Sequence, residues 1–457
     1  MNDYQTLRNK YPNIIYKSYE IKNNEDTIEV EYTYQLNNYI FTPSIFIDKK
    51  NITNQNINNS FLEYLFFNYG LVNIINYYKL SCPKKIIIEA GFIDEEQISF
   101  FKKLIFNGLS EYFYRNNIKL SYDEFTTFEI KSNKILHFSC DNNYDGNLIL
   151  IGGGKDSIVS LELLKNEKAT NKCFLFERNI YPKNMPSYNS IYMAGYTDDD
   201  IVIFEAEIDD LLLKLNKEGF LNGHVPFSSQ LAFASYIMAY LNNKKYIVVS
   251  NEASSNEGNI KGENVNHQYS KSIEFENDFR WYINKYFNKN IEYYSLLRPL
   301  LEIQIAKIFT QYPKYYNVFR SCNLSSKNKD TNWCGNCPKC LFIFIILSPF
   351  INLETLTNIF GVNMLDNKDL LNTFKELLGE GDNKPFECVG TFDEVKYACS
   401  KTVEKLKKEN TTLPYLLNYF NNHYYSHNID IHKYFNPNNN VPNKYIEIIK
   451  KELHEND

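Results

Sequence analysis

The sequence contains no apolar stretch of about eighteen residues, the length a membrane-spanning helix needs; its longest apolar run lies around Leu341 to Leu347. Nor do the first residues, MNDYQTLRNKYPN, carry the apolar core of a secretory signal. The expectation is a cytoplasmic protein with no membrane partner. Excess basic charge is missing too: 49 Lys and Arg face 55 Asp and Glu, net -6, with no basic tail or block. That removes the electrostatic footprint of a DNA or RNA binder, so no nucleic-acid partner is expected. Small anions held by local Lys and Arg stay possible. No internal repeat is evident, and the two commonest nucleotide loops, G-x-x-x-x-G-K-[ST] and G-x-G-x-x-G, are both absent.

What is present is the balance of a globular protein, with 44% apolar and 23% charged residues in 457. That length predicts two or three domains, because single cores stop growing well below it. Tyr16 to Asp48 alternates like strands, Asn59 to Leu80 repeats at helical spacing, KKIIIEA reads as a strand and Asp94 to Arg115 as a helix. An α+β N-terminal domain is therefore expected over 1–145. From Asn147 onward, apolar runs (NLILI, KCFLFE, IVIFEAE, KYIVVSN) alternate with helical stretches such as Ser228 to Leu241. This predicts an α/β domain over 146–345, a parallel sheet with helices on both faces. A mainly helical region is expected over 346–457.

In LILIGGGKDSIVSLELL, residues Gly152, Gly153, Gly154, Lys155, Asp156 and Ser157 stand where a strand end meets a helix N-terminus. Glycines there let backbone N–H groups approach a phosphate, and the helix dipole and the Ser157 hydroxyl add to the attraction. Lys155 is expected to neutralise charge on a leaving group. The loop resembles the SGGxDS loop of PP-loop ATP pyrophosphatases, with Gly152 in place of the first Ser. That resemblance implies a HUP-like fold and cleavage of ATP to AMP and pyrophosphate.

Nine cysteines in a cytosolic chain point to metal or redox chemistry before disulfides. Four are clustered, Cys322, Cys334, Cys337 and Cys340, as C-x11-C-x2-C-x2-C. Four thiolates meet the tetrahedral demand of Zn²⁺, while an iron–sulfur cluster is the competing reading. Similar sets in the PP-loop enzymes that make 7-cyano-7-deazaguanine imply structural zinc. Cys82, Cys140, Cys173, Cys388 and Cys399 are scattered, and an inert buried thiol is the default for each.

Further polar strings follow in order: LNGHVP, VVSNEASSNEGN, VNHQYSKS, YSLLRPL, SCN, WCGNCPKC, IFG and KPFECVG. Singly each reads as a turn or a solvated loop. With GGGKDSIVSLELL, and weakly GLSEYFYRNNI upstream, the set resembles the UDP-N-acetylmuramoyl-L-alanyl-L-glutamate epimerases, over about Ser60 to Val395. The resemblance implies ATP- and Mg²⁺-dependent inversion of the terminal L-Glu of UDP-MurNAc-L-Ala-L-Glu, in peptidoglycan precursor synthesis, with AMP and pyrophosphate released. It also makes chemical sense. An ionised carboxylate opposes loss of its own α-proton, and capping it as an adenylate removes that penalty.

On this reading His224, His267 and Cys388 are candidate acids and bases. Ser250, Asn251, Glu252 and Glu257 join the loop as nucleotide- or Mg²⁺-binding candidates, since Mg²⁺ prefers carboxylate and phosphate oxygen. Asn222, Tyr269, Lys271 and Arg298 are substrate candidates, Arg298 as a bidentate carboxylate clamp. Each has a bland alternative as a structural hydrogen bond. Three rival functions stay open: a synthase of the deazaguanine type, an epimerase of another peptide ending in L-Glu, and a zinc-stabilised interaction module. The oligomeric state is not legible.

Overall fold

A computed structural model describes residues 3–136, 143–177, 185–256, 258–260, 265–287, 289–322, 333–381, 383–424 and 428–454. Eleven strands form one sheet: β1 (Asn13–Asn23), β2 (Thr27–Leu36), β3 (Tyr39–Phe41), β4 (Ser44–Asp48), β5 (Lys85–Ile88), β6 (Thr127–Ile130), β7 (Asn147–Leu150), β8 (Lys172–Glu177), β9 (Ile201–Ala206), β10 (Tyr246–Val249) and β11 (Glu292–Ser295). Their order is β11-β10-β7-β8-β9-β4-β2-β1-β5-β6, with β3 beside β2. β7 to β11 pair in parallel, as the βα alternation predicts. The N-terminal strands are mixed: β1, β2, β3 and β4 are antiparallel, and β1, β5 and β6 are parallel.

The two strand groups are not separate sheets. β4 pairs antiparallel with β9 (Ile45 with Ala206, Phe46 with Glu205), so the sheet runs without a break across the division expected at residue 146. The cores follow the faces of this sheet and ignore that division. Leu148, Leu150, Ile247, Val249 and Tyr293 point into one core with the N-terminal helices. Their neighbours Ile149, Ile151, Val248 and Tyr294 point into the other, with the C-terminal helices. This is the period-two alternation of a strand buried on both sides. In β2, by contrast, only alternate residues are buried, the pattern of a strand with one covered face.

Helices Asn59–Asn73, Glu95–Gly108, Phe227–Leu241 and Ile273–Tyr286 cover the first face. Helices Lys155–Leu163, Glu302–Thr310, Pro338–Leu347 and Phe392–Lys408 cover the second. From Leu353 to the end the described residues form helices and turns, with one isolated bridge pairing Ile260 with Asn383. Helix Pro338–Leu347, buried along almost its whole length, straddles residue 346, so this second expected division also falls inside a packed element. Among the described residues no helix is long and apolar enough to cross a membrane.

Candidate active site

In the strand order, β7 leads to β8 and β9 on one side and has β10 and β11 on the other. Such a reversal opens a crevice at the carboxyl ends of the strands. A cavity of about 430 Å³ occupies it, reached by Gly152, Gly154, Asp156 and Ser157 from the loop after β7 and by Ser250 and Asn251 from the loop after β10. Phe174, Phe176, Phe227 and Leu231 give it an apolar wall.

The glycine loop is built as the sequence predicts, a strand end turning into the N-terminus of helix Lys155–Leu163 with Gly154 as N-cap. Gly153 holds φ +78, and a Cβ there would meet the backbone of Pro186 and Ser187. Only glycine fits that left-handed turn without strain. A Cβ on Gly152, in contrast, would meet nothing within 4 Å. The Arg320 N–H donates to the Gly153 carbonyl at 2.9 Å and braces the loop from outside.

Lys155 does not face the cavity as expected. Its ammonium is fully buried between the carboxylates of Asp156 and Glu302. Burial opposes that charge, but the two carboxylates prevail and hold the lysine above its ordinary range. Burial in turn pushes the Glu302 carboxyl up, to about 8. The cations that do line the cavity are Lys271, Lys339 and Arg320. Glu252 is buried next to this group, and its charge raises both Glu302 and Lys271.

Cys388 forms part of the same cavity wall. Lys271 Nζ donates to its sulfur at 3.0 Å, and the His267 imidazole lies close enough to interact with it. The other side of His267 meets Glu111, through Nδ1 and Oε2. His224 completes the group, its ring centroid 4.0 Å from that of His267 and its Nδ1 4.0 Å from Glu111. Burial alone would raise the Cys388 thiol; Lys271, His267 and Lys339 reverse this and bring it down to about 6. Burial likewise works against charge on His267, yet Cys388 and Glu111 lift it to about 9. Burial and the charge of His267 push His224 down to about 4. Near neutrality the geometry therefore favours a thiolate–imidazolium pair backed by a carboxylate, with a neutral imidazole beside it.

Hydrogen bonds explain why residues so far apart in sequence meet here. Asn259, buried, accepts from the His267 N–H at 2.8 Å and donates to the Pro385 carbonyl at 3.0 Å, so it ties the histidine loop to the KPFECVG segment. Ser110 accepts from the Asn266 N–H at 3.2 Å, docking the same loop on the helix that carries Glu111. Arg298 is fully buried and donates to the Glu252 and Lys271 carbonyls, to Ser255 Oγ and to Glu276. Its guanidinium is spent on holding loops together and does not clamp a ligand.

Two further substrate candidates also lie away from the cavity. Tyr269 is buried against Phe275, and Asn222 is at the surface, its Oδ1 accepting from the Gly223 N–H. Glu257 lies outside the described residues. Sequence reasoning missed Glu111, Asn259, Glu302, Arg320 and Lys339. Glu111 stands in the GLSEYFYRNNI string, and Lys339 lies inside the cysteine motif.

The four clustered cysteines come together, with all four sulfurs within 4.8 Å of one another. Cys334 and Cys340 are 3.4 Å apart, Cys322 and Cys337 3.9 Å. Cys337 caps helix Pro338–Leu347, accepting from the Cys340 N–H at 3.4 Å. That helix start also delivers Lys339, whose ammonium donates to the Cys388 carbonyl. On the other side of the cluster, Ser321 and Arg320 directly precede Cys322 in the cavity wall. The cluster thus braces two sides of the site.

Comparison with known proteins places the chain in a family. The model of the MurL N-terminal domain matches residues 5–296, and that of the MurL C-terminal domain matches 318–423. A UDP-N-acetyl-alpha-D-muramoyl-L-alanyl-L-glutamate epimerase of a Micromonospora species is 33% identical, over 72% of this chain and 73% of its own. Proteins of the same name from Salinispora tropica (33%, 71% and 70%) and Xanthomonas oryzae pv. oryzae (32%, 72% and 72%) match similarly. No solved structure matches the chain. With both domain models matched in order, and relatives aligned over more than two thirds of either partner, the chain belongs to the MurL family.

Proposed function

We propose that the protein is an ATP-dependent epimerase that inverts the terminal L-Glu of UDP-MurNAc-L-Ala-L-Glu. The observation that carries this reading is one cavity lined by a phosphate-type glycine loop and by Cys388, the thiol end of a Cys388–His267–Glu111 relay. A nucleotide site alone would serve many enzymes, and a thiolate–imidazolium pair alone would serve many others. Their union suits a reaction that first masks a carboxylate and then moves the proton next to it.

On this reading the fold is of the PP-loop, HUP-like type. Bound ATP supplies AMP to the glutamate carboxylate. The backbone N–H groups from Gly152 to Gly154 and the Ser157 hydroxyl hold phosphate, and the wall of Phe174, Phe176 and Phe227 suits the base. Lys271, Lys339 and Arg320 offset charge that Lys155, paired with Asp156 and Glu302, cannot. Asp156, with Glu252 and Glu302 close by, offers the hard oxygens that Mg²⁺ prefers.

The cysteine cluster fits zinc. Zn–S bonds of about 2.3 Å put tetrahedral sulfurs about 3.8 Å apart, close to the observed spacings of 3.4 and 3.9 Å. An iron–sulfur cluster would spread its ligands over several irons. With four protein ligands the ion would brace the fold and leave no position open for chemistry. The carbanion chemistry falls to the relay. A proton leaves the α-carbon toward it, the ammoniums of Lys271 and Lys339 face the charge that develops, and the proton returns to the opposite face.

The test is chiral analysis of glutamate after incubating the protein with UDP-MurNAc-L-Ala-L-Glu, ATP and Mg²⁺. D-Glu, formed together with AMP and pyrophosphate, is the expected result. ATP split to ADP and phosphate, or turnover that requires ammonia, would instead favour another enzyme class.

A further inference from the structure

The acid–base groups of this site are contiguous. Cys388 interacts with His267, and His267 stands beside His224, its ring tilted against it, and bonds Glu111. Two independent bases flanking one α-carbon would have to leave room for the substrate between them, and this cluster leaves none. Cys388 is also the member of the cluster that reaches the nucleotide cavity, while His267 and His224 are not part of its wall. A thiol at that position meets the activated carbonyl before any imidazole does.

We propose that Cys388 is a nucleophile: its sulfur takes the glutamyl group from AMP as a thioester, and the α-proton is removed from that thioester by His267. The proposal rests on the adenylating activity inferred above. In the first step the thiolate pair of electrons forms a C–S bond, and the C–O bond to the phosphate breaks with its electrons staying on AMP. Lys271, 3.0 Å from the sulfur, and Lys339, bonded to the Cys388 carbonyl, face the anions on both sides of this exchange. Proton removal next to a thioester avoids building an enolate beside the phosphate anion of AMP, since like charges so close repel.

The same step changes the role of His267. A sulfur in C–S linkage is no longer an anion, so one of the two partners that keep the imidazole protonated is gone. The ring gives up its proton to water and becomes able to accept the α-proton, while Glu111 keeps it oriented. Water then supplies a proton to the opposite face. In the last step a second water adds to the carbonyl, the C–S bond breaks with its electrons returning to sulfur, and the carboxylic acid releases its proton. One ATP and one net water are consumed, and the thiolate is restored.

Rapid acid quench of the full-length protein with ATP, Mg²⁺ and UDP-MurNAc-L-Ala-L-Glu, followed by intact mass, reads the intermediate directly. Expected is a hydroxylamine-labile adduct of substrate mass less one water, mapped to Cys388. His267→Ala should accumulate it several-fold while losing exchange of the α-hydrogen with D₂O. Cys388→Ala should form none. Wild type that yields AMP and D-Glu, with no adduct in it or in His267→Ala, overturns the thioester and leaves the epimerase reading standing. Wild type that yields no AMP removes both.

Discussion

The chain places sulfur in two neighbouring but opposite settings. Cys322, Cys334, Cys337 and Cys340 have chiefly one another as partners, four thiols converging within 4.8 Å on a point where a cation fits. Cys388, held to the same helix start through Lys339, has an ammonium, a second cation and an imidazole around its sulfur. Identical side chains are thus assigned to support or to chemistry by what surrounds them. On the proposed reading, four thiols with no cation among them suit a metal ion, and a thiol already set among cations suits chemistry.

The sharpest way to break this contrast is Cys388→Ala. It should lower epimerisation by about 10³-fold or more, as loss of a proton-transfer or nucleophilic group does, while circular dichroism and melting temperature stay near wild type. A fully active variant would make Cys388 no different from the buried thiols. Next in size, Cys334→Ser should lose bound metal and about 2 kcal/mol of stability, roughly 30-fold in the ratio of folded to unfolded protein. Metal analysis with denaturant unfolding measures both, and unchanged stability would deny the cluster its bracing role.

The pH profile sharpens the comparison further. Activity should rise as Cys388 ionises through about 6 and should not fall as His267, the base, gives up its proton through about 9. Glu387, next to Cys388, is likewise pushed up, by burial and by the Cys388 charge. Glu111→Gln removes the carboxylate that orients the imidazole, so exchange of the α-hydrogen with D₂O at pH 8 should fall about 10-fold. Unchanged exchange would mean that Glu111 does not control His267. Smallest of all, Asn222→Ala should change kcat and KM by less than about 3-fold, since surface polar groups away from a site contribute little. A larger loss would bring Asn222 into the substrate path.

Local features were legible in the sequence. The turn from β7 into helix Lys155–Leu163, the strands KCFLFE, IVIFEAE and KYIVVSN, and the convergence of four cysteines all follow from short-range pattern and spacing. Partners brought together by the sheet were not. Nothing near Ile45 announces that it pairs with Ala206, and that seam joins what composition divides into two domains. For the same reason Glu111 read as one more helical carboxylate until His267 was placed beside it. Lys155 and Arg298 misled in the opposite direction. Their charge suggested ligand contact, but buried carboxylates and carbonyls had already claimed it.

The relay is assembled from chain segments whose order has a cost in time. Glu111 emerges first in synthesis, His224 and His267 follow, and Cys388 comes last of the four, in the segment that Asn259 pins down through Pro385. A product of interrupted translation would carry the glycine loop without the thiol. Docking of the KPFECVG segment on Asn259 is therefore what brings the thiol to the cavity wall.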